Sequence, residues 1–130
     1  MLYRGMRPAA GAPLRPQCGD TGATLGVRAD KDLPVVNGRV VPASGGMSVV
    51  CEQWQALPAH RTPVSHGGES DDHVIFSIAE QGLSAGLRVR QDKPLSFPAH
   101  RVIEPAREMS FAEFRAGIHA TQPIWEPYDP

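Results

Sequence analysis

Residues 74–104 read VIFSIAEQGLSAGLRVRQDKPLSFPAHRVIE and contain three segments with the pattern of β-strands. Val74–Ile78 is a short apolar run that is rich in β-branched residues. Leu87–Asp92 alternates between apolar and polar residues, which places Gln91 on the same face as the apolar side chains. His100–Glu104 is the third segment, and the proline after it interrupts strand pairing. The stretch therefore predicts a sheet of short strands.

Turn and strand signals also precede this stretch. Asn37-Gly38 lies between valines and predicts a type I′ hairpin turn, because both central residues of that turn need positive φ. Gly45-Gly46 precedes the short apolar run that ends at Cys51, and paired glycines permit a sharp turn or a close approach of the backbone. At the N-terminus, Leu2-Tyr3-Arg4 opens a further apolar segment.

One helix is well signalled near the C-terminus. Ser110 can cap it and Glu113 completes a capping box. Phe111, Phe114 and Ile118 follow at helical spacing and predict a buried face. Residues 122–130 contain three prolines and Trp125, and they are expected to lie over the surface as an extended anchor.

Composition limits the fold and the class of partner. The 130 residues include 13 glycines and 13 prolines, which favours short elements and excludes an all-helical bundle. The net charge of −1 comes from mixed acidic and basic residues, so there is no basic stripe for nucleic acid. No apolar run is long enough to span a membrane, and no signal peptide is expected. Synthesis and folding in a cytosol are therefore expected, as are free thiols at Cys18 and Cys51.

Two polar residues on the predicted strands are candidates for chemistry. Gln91 ends an apolar stripe, so its amide needs either a ligand or solvent at the end of the strand. His100 can act as an acid–base group near neutral pH, or it can be structural. Ser48, after the paired glycines, can equally be a cap. Both interpretations of each residue remain open at this stage.

Three histidines in one polar segment raise the question of a metal site. His60, His66 and His73 are spaced by six and seven residues near Asp71 and Asp72. This spacing matches no standard zinc pattern, so an exposed loop without a metal is expected.

Taken in order, four motifs resemble a known family. They are Leu2-Tyr3-Arg4, the segment Pro42–Val49 with its two glycines, Leu87–Asp92, and Ala99-His100 followed by Ile103–Ala106. This series is similar to the small toxins exported by type VI secretion that have the ADP-ribosyltransferase fold. The resemblance covers nearly the whole chain.

The resemblance implies a single α+β domain over residues 1–130, with two small antiparallel sheets that form an NAD cleft and few short helices. Arg4 would hold a phosphate or ribose of NAD, since a guanidinium binds phosphate oxygens bidentately. The other cofactor-binding residues would be Gly45, Gly46 and Ser48. Gln91 and His100 would be the catalytic residues.

Function follows from the same resemblance. It implies a cytotoxic effector with NAD as its substrate, acting in the cytosol of a target bacterium as a mono-ADP-ribosyltransferase or an NAD glycohydrolase. A cognate immunity protein and the secretion machinery are the implied partners.

The sequence departs from the usual transferase pattern in two places. No Glu-x-Glu or Gln-x-Glu follows the expected strand, and strand alternation places Asp92, the only nearby acid, on the face opposite Gln91. Met47 stands where a second hydroxyl residue is usual. A catalytically inactive interaction module of the same fold is therefore the alternative, and a metal-binding or hydrolase domain built on the three histidines is the third hypothesis.

Overall fold

The computed structural model describes residues 1–130 as a small α+β protein with mostly antiparallel strands and one α-helix. The class predicted from the sequence is confirmed at this level. The strands are β1 (Leu2–Met6), β2 (Arg39–Val40), β3 (Met47–Cys51), β4 (Val74–Ile78), β5 (Leu87–Arg90), β6 (His100–Pro105), β7 (Met109–Ser110) and β8 (Glu126–Pro127). The helix α1 spans Phe111–His119. Short 3₁₀ turns, including Ala59–Arg61, connect the strands.

Six strands form one antiparallel sheet in the order β5-β6-β3-β1-β4-β8, and β2 pairs with β7 in a separate two-stranded ladder. The large sheet divides in the middle. β1 pairs with β4 at five positions but with β3 at only two, Leu2↔Cys51 and Tyr3↔Val50. Beyond Tyr3 the two central strands separate. The sheet is therefore continuous at Leu2 and Tyr3 and opens into a gap beyond them. One six-stranded sheet and a two-stranded ladder stand in place of the two small sheets expected from the resemblance.

The strand predictions agree with the structure in location but not in every boundary or pairing. β5 ends at Arg90 instead of Asp92, and β6 includes Pro105, which pairs with Leu87, so the expectation that this proline interrupts pairing is wrong. β4 coincides with the predicted Val74–Ile78. Asn37 and Gly38 have φ values of 52° and 72°, which confirms the left-handed turn. The predicted hairpin is reduced to a single bridge between Val36 and Arg39, because Val40 in β2 is buried and pairs with Met109 of β7 instead.

The helix begins as predicted. The Ser110 hydroxyl accepts a hydrogen bond of 3.0 Å from the Glu113 backbone N–H. The Glu113 carboxylate does not complete the capping box through Ser110 and instead lies 2.6 Å from Arg107. Phe114 and Ile118 of the predicted apolar face are fully buried, whereas Phe111 is only partly buried against the core. No helix of the chain combines the length and apolar character that crossing a membrane requires.

The C-terminal segment differs from the prediction. Trp125 belongs to the main apolar core and has no exposed surface, so the expectation of a tail lying over the surface is wrong at this residue. Its indole N–H donates to the Thr121 hydroxyl at 2.9 Å. The residues after it form β8, which pairs with β4 at the edge of the sheet.

A buried carboxylate connects β5 to β6 and to the loop before β3. Glu104 is fully buried and accepts hydrogen bonds of 2.6 Å from Nε of both Arg88 and Arg90. Its Oε1 also accepts from the Ala43 backbone N–H at 3.2 Å. Burial alone would raise the pKa of Glu104, but the bonds from Arg90, Arg88 and Ala43 outweigh it and lower this pKa.

We expect Glu104→Gln to lower the free energy of unfolding at pH 7 by about 2 kcal/mol, because charge-assisted hydrogen bonds are lost. A carboxylate whose pKa is lower in the folded state than in the unfolded state stabilises the fold above its ordinary pKa, which is 4.5 for Glu104. This stabilisation is lost as the pH falls through the pKa of the folded state. The difference between the two proteins should therefore shrink below pH 4.5. Urea unfolding from pH 7 to pH 3 measures it, with Glu108→Gln on the surface as control; a gap that is constant with pH would contradict the assignment.

Candidate functional site

A cavity of about 290 Å³ lies at the gap between β1 and β3. Arg4 and Gly5 of β1 line one side, and Ser48, Val49 and Val50 of β3 line the other. The rest of the wall comes from three loop regions, which contribute Gly22, Arg28, Asp32, Leu57, Pro58, His60, Arg61, Lys93, Phe97, and from His100 at the start of β6. The cavity exists because the two halves of the sheet separate here.

Arg4 joins the two sides of the gap. Its Nη1 donates to the Ser48 carbonyl at 2.6 Å, and its Nη2 donates to the carbonyls of Thr24 and Gly22 at 2.9 and 3.2 Å. Nε also donates to Thr24 at 3.2 Å. Four of the five N–H groups are thus bound to the protein. Arg4 lies in the cavity wall as expected, but most of its hydrogen-bonding capacity serves the fold.

No carboxylate neutralises the Arg4 side chain directly, since all of its partners are backbone carbonyls. Burial lowers the pKa of Arg4 to about 10, and the neighbouring charges of Arg61 and Arg28 act in the same direction. The guanidinium remains charged at neutral pH. It therefore adds to the cavity a positive charge that no bonded carboxylate neutralises, although the charge of Asp32 acts in the opposite direction.

Three more cations line the cavity, and two of them have no partner. Arg28 is bound by Asp32, the only carboxylate in the wall. Arg61 and Lys93 make no side-chain hydrogen bond and no ion pair in the chain. Burial, followed by repulsion from Arg28, lowers the pKa of Arg61. Such an excess of positive charge in a cleft favours an anionic ligand.

Gly5 is covered by the turn that carries Arg61. A Cβ atom built on Gly5 would lie 1.9 Å from the carbonyl oxygen of Arg61, closer than any side chain allows. Only glycine lets the Ala59–Arg61 turn pass over β1 at this point. The Arg61 side chain in turn lies against Gly22, whose Cβ would be 2.3 Å from Nη2. The two glycines thus place an arginine over the gap.

His100 lies in the wall and is held by an acid that the sequence pattern placed elsewhere. Its Nδ1 lies 2.6 Å from Oδ1 of Asp92. Strand β5 ends at Arg90, so the alternation that put Asp92 on the far face does not extend to it, and that expectation is wrong. Phe97 packs beside the imidazole with the ring centroids 5.4 Å apart.

Ser48 is the third predicted residue that the structure brings to the cavity. Its side chain is exposed and its hydroxyl makes no hydrogen bond within the protein, while its backbone carbonyl accepts from Arg4. Arg4, Ser48 and His100 therefore share one cavity, although they come from three different strands.

The other three predicted site residues do not line this cavity. The Gln91 amide donates to the Pro98 carbonyl at 2.9 Å and so braces its own loop. A Cβ on Gly46 would lie 2.3 Å from the Ile103 carbonyl oxygen, and one on Gly45 would lie 2.2 Å from that of Asp32. These glycines permit close approach of backbone to backbone, and the structure gives them no contact with the cleft.

The predicted polar loop around the three histidines is only partly exposed, and the histidines are separated by their contacts. His60 lines the cavity, His66 lies 3.2 Å from Asp129, and the buried His73 contacts Ser70 and Asp72. No group of three potential ligands in the chain could hold a metal ion. The hypothesis of a domain built on these histidines has no geometric support.

The sequence did not identify Arg28, Arg61 or Lys93 as site residues, nor Asp92 as the partner of His100. Arg28, Arg61 and Lys93 lie in no motif, and although Asp92 ends the Leu87–Asp92 motif, its contact with His100 is visible only in the folded chain. Comparison of the chain with protein-family models, with curated proteins and with solved structures gives no match. The chemistry of the cavity is therefore inferred from its own residues.

Proposed function

We propose that this chain is an NAD-binding toxin domain with an ADP-ribosyltransferase-like fold, acting as a mono-ADP-ribosyltransferase or an NAD glycohydrolase. The observation that carries the proposal is the pair of unpartnered cations, Arg61 and Lys93, in a cavity at the gap of a divided sheet. Two phosphates with negative charges match this cluster, because Arg and Lys form strong charge-assisted bonds to phosphate oxygens. The resemblance of the sequence motifs to type VI effector toxins supports the same assignment.

Other features of the cavity support the same proposal. β1 and β3 stop pairing after Tyr3, so Gly5 and Ser48 lie on opposite sides of a gap that part of the ligand would enter. Val50, Leu57 and Phe97 supply apolar surface to the same cavity. At about 290 Å³ the volume is near the lower end for small-molecule sites, so part of a dinucleotide would extend out of the mouth.

Binding of NAD should depend on the unpartnered cations. We expect Arg61→Ala to weaken NAD affinity about 10- to 100-fold, as the loss of a charge-assisted bond implies. Arg39→Ala is the matched control, since Arg39 is an exposed arginine outside the cavity. Isothermal titration measures both. Equal NAD affinity in Arg61→Ala and the wild type would refute the phosphate assignment.

A specific observation favours the second candidate, an interaction module without catalysis. Asp32 is the only carboxylate in the cavity wall, and Arg28 occupies it, so no free acid faces the place where positive charge would develop on a ribose. Induction of the gene in a bacterial cytosol separates the two. Arrested growth that Arg4→Ala, Ser48→Ala or His100→Ala relieves supports the toxin, and harmless expression of the wild type supports the module.

Export by type VI secretion and neutralisation by an immunity protein belong to the same proposal. They rest on the sequence resemblance. Co-expression with the neighbouring downstream gene is the test, and rescue of growth is the expected result.

A further inference from the structure

The pair formed by His100 and Asp92 defines which imidazole nitrogen is free. Oδ1 of Asp92 accepts a hydrogen bond of 2.6 Å from Nδ1 of His100. Nδ1 must then carry the hydrogen, and Nε2 of the neutral ring keeps its lone pair. Nε2 makes no hydrogen bond to any other residue of the chain, and His100 lines the cavity. A proton acceptor of fixed tautomer therefore belongs to the site.

The other possible bases in the cavity are less suitable. Asp32 accepts from the Arg28 backbone N–H at 2.7 Å and from its Nε and Nη2 at 3.2 and 2.9 Å, so its oxygens are already engaged. His60 is exposed and makes no side-chain hydrogen bond that would orient it. His100 alone is both oriented by a carboxylate and braced by an aromatic ring.

We infer that His100 is a general base that takes the proton from a hydroxyl nucleophile, with Asp92 as its positioning residue. The inference rests on the proposed reaction with NAD. That substrate supplies the bond chemistry: the nucleophile's oxygen bonds to C1′ of the nicotinamide ribose, the C1′–N bond breaks, and its electron pair leaves with neutral nicotinamide. Nε2 receives the hydroxyl proton and releases it to water through the mouth of the cavity.

Asp92 acts only through His100. It keeps the proton on Nδ1 before the reaction and stabilises the imidazolium that forms when Nε2 is protonated. The nucleophile is a hydroxyl oxygen, which is water in a glycohydrolase and an acceptor alcohol in a transferase. The same base serves both, because each loses one O–H proton as it attacks.

The first test needs no turnover. Long-range ¹H–¹⁵N spectra of the imidazoles should show neutral His100 protonated at Nδ1 in the wild type and a changed tautomer ratio in Asp92→Asn. Asp129→Asn is the matched control, since the exposed Asp129 pairs with another histidine, His66, at 3.2 Å. An unchanged His100 tautomer in Asp92→Asn would overturn the positioning role.

The second test follows nicotinamide release from NAD in water and in water with added methanol, which separates hydrolysis from transfer to an alcohol. Asp92→Asn is expected to lower kcat about 100-fold or more, with NAD affinity close to that of the wild type. Asp92→Glu should restore part of the rate, which a general loss of folding would not allow.

The other charged groups near His100 are the same in the wild type and in Asp92→Asn, so comparing these two proteins isolates the effect of Asp92. They lie on the loop after β5, on β6 and around the cavity: Lys93, Arg101, Arg4, Arg28, Asp32, His60 and Arg61.

The outcomes separate this inference from the proposed function. Absence of NAD binding by the wild type would remove both. NAD binding and turnover with an Asp92→Asn rate equal to that of the wild type would overturn the inference alone. Binding without nicotinamide release in either solvent would overturn the base and leave the binding site.

Discussion

Replacing Gly5 by alanine is expected to destabilise the fold and abolish ligand binding together. The added Cβ would lie 1.9 Å from the carbonyl oxygen and 2.9 Å from the carbonyl carbon of Arg61, so backbone must move. The Arg61 turn has little freedom to retreat, because the Arg61 N–H donates to the Pro58 carbonyl and the Thr62 hydroxyl to the same oxygen. We expect a loss of about 3 kcal/mol, at the upper end of overpacking effects.

Urea unfolding and NAD titration measure the two consequences of Gly5→Ala. Gly117→Ala is the matched control of opposite sign. Its Cβ would meet only Leu87 at 3.6 Å or more, and alanine favours the helix, so a gain of up to about 1 kcal/mol is expected. A Gly5→Ala protein with the wild-type unfolding midpoint would show that the Arg61 turn does not cover β1.

Trp125→Ala should cost about 3–5 kcal/mol, which is the usual range for removing a buried aromatic side chain. Trp125 is fully buried, and its loss also frees the Thr121 hydroxyl that accepts its N–H at 2.9 Å. Typical domains have only about 5–15 kcal/mol of total stability, so the variant should be close to unfolding at room temperature.

Far-UV circular dichroism in urea checks this expectation for Trp125→Ala. Ile124→Ala is the control, because Ile124 is adjacent in sequence but 44% exposed, and a change below about 1 kcal/mol is expected. Similar unfolding midpoints for the two variants would place Trp125 on the surface and restore the simple interpretation of a proline-rich tail.

Those two residues show where sequence reasoning stops. Gly5 drew no attention in the sequence, because nothing nearby indicates that Arg61, far along the chain, passes over it. The prolines of residues 122–130 argue against regular structure there, so the sequence predicts a surface position for Trp125. The contacts of both residues are missed for the same reason: local composition does not indicate which distant segment covers a residue.

Three of the six site residues predicted from the sequence line the cavity. Arg4, Ser48 and His100 were identified by their place in an ordered series of motifs, and they share the cavity. Gln91 was assigned by strand alternation, which fails because β5 ends one residue earlier. Gly45 and Gly46 were assigned to ligand contact, whereas the approach that they permit is between strands and loops of the protein itself.

The sequence by itself determined the local elements: the strand at Val74–Ile78, the left-handed turn at Asn37-Gly38 and the capped start of α1. These depend on side chains within a few positions of one another, so local energetics decides them. Only the tertiary structure decided the gap between β1 and β3, the two cations without partners, and the contact of Asp92 with His100. Each of these depends on where chain segments pack in space, as with the bond from Arg4 to Ser48 across 44 positions, and residue type alone carries no record of it.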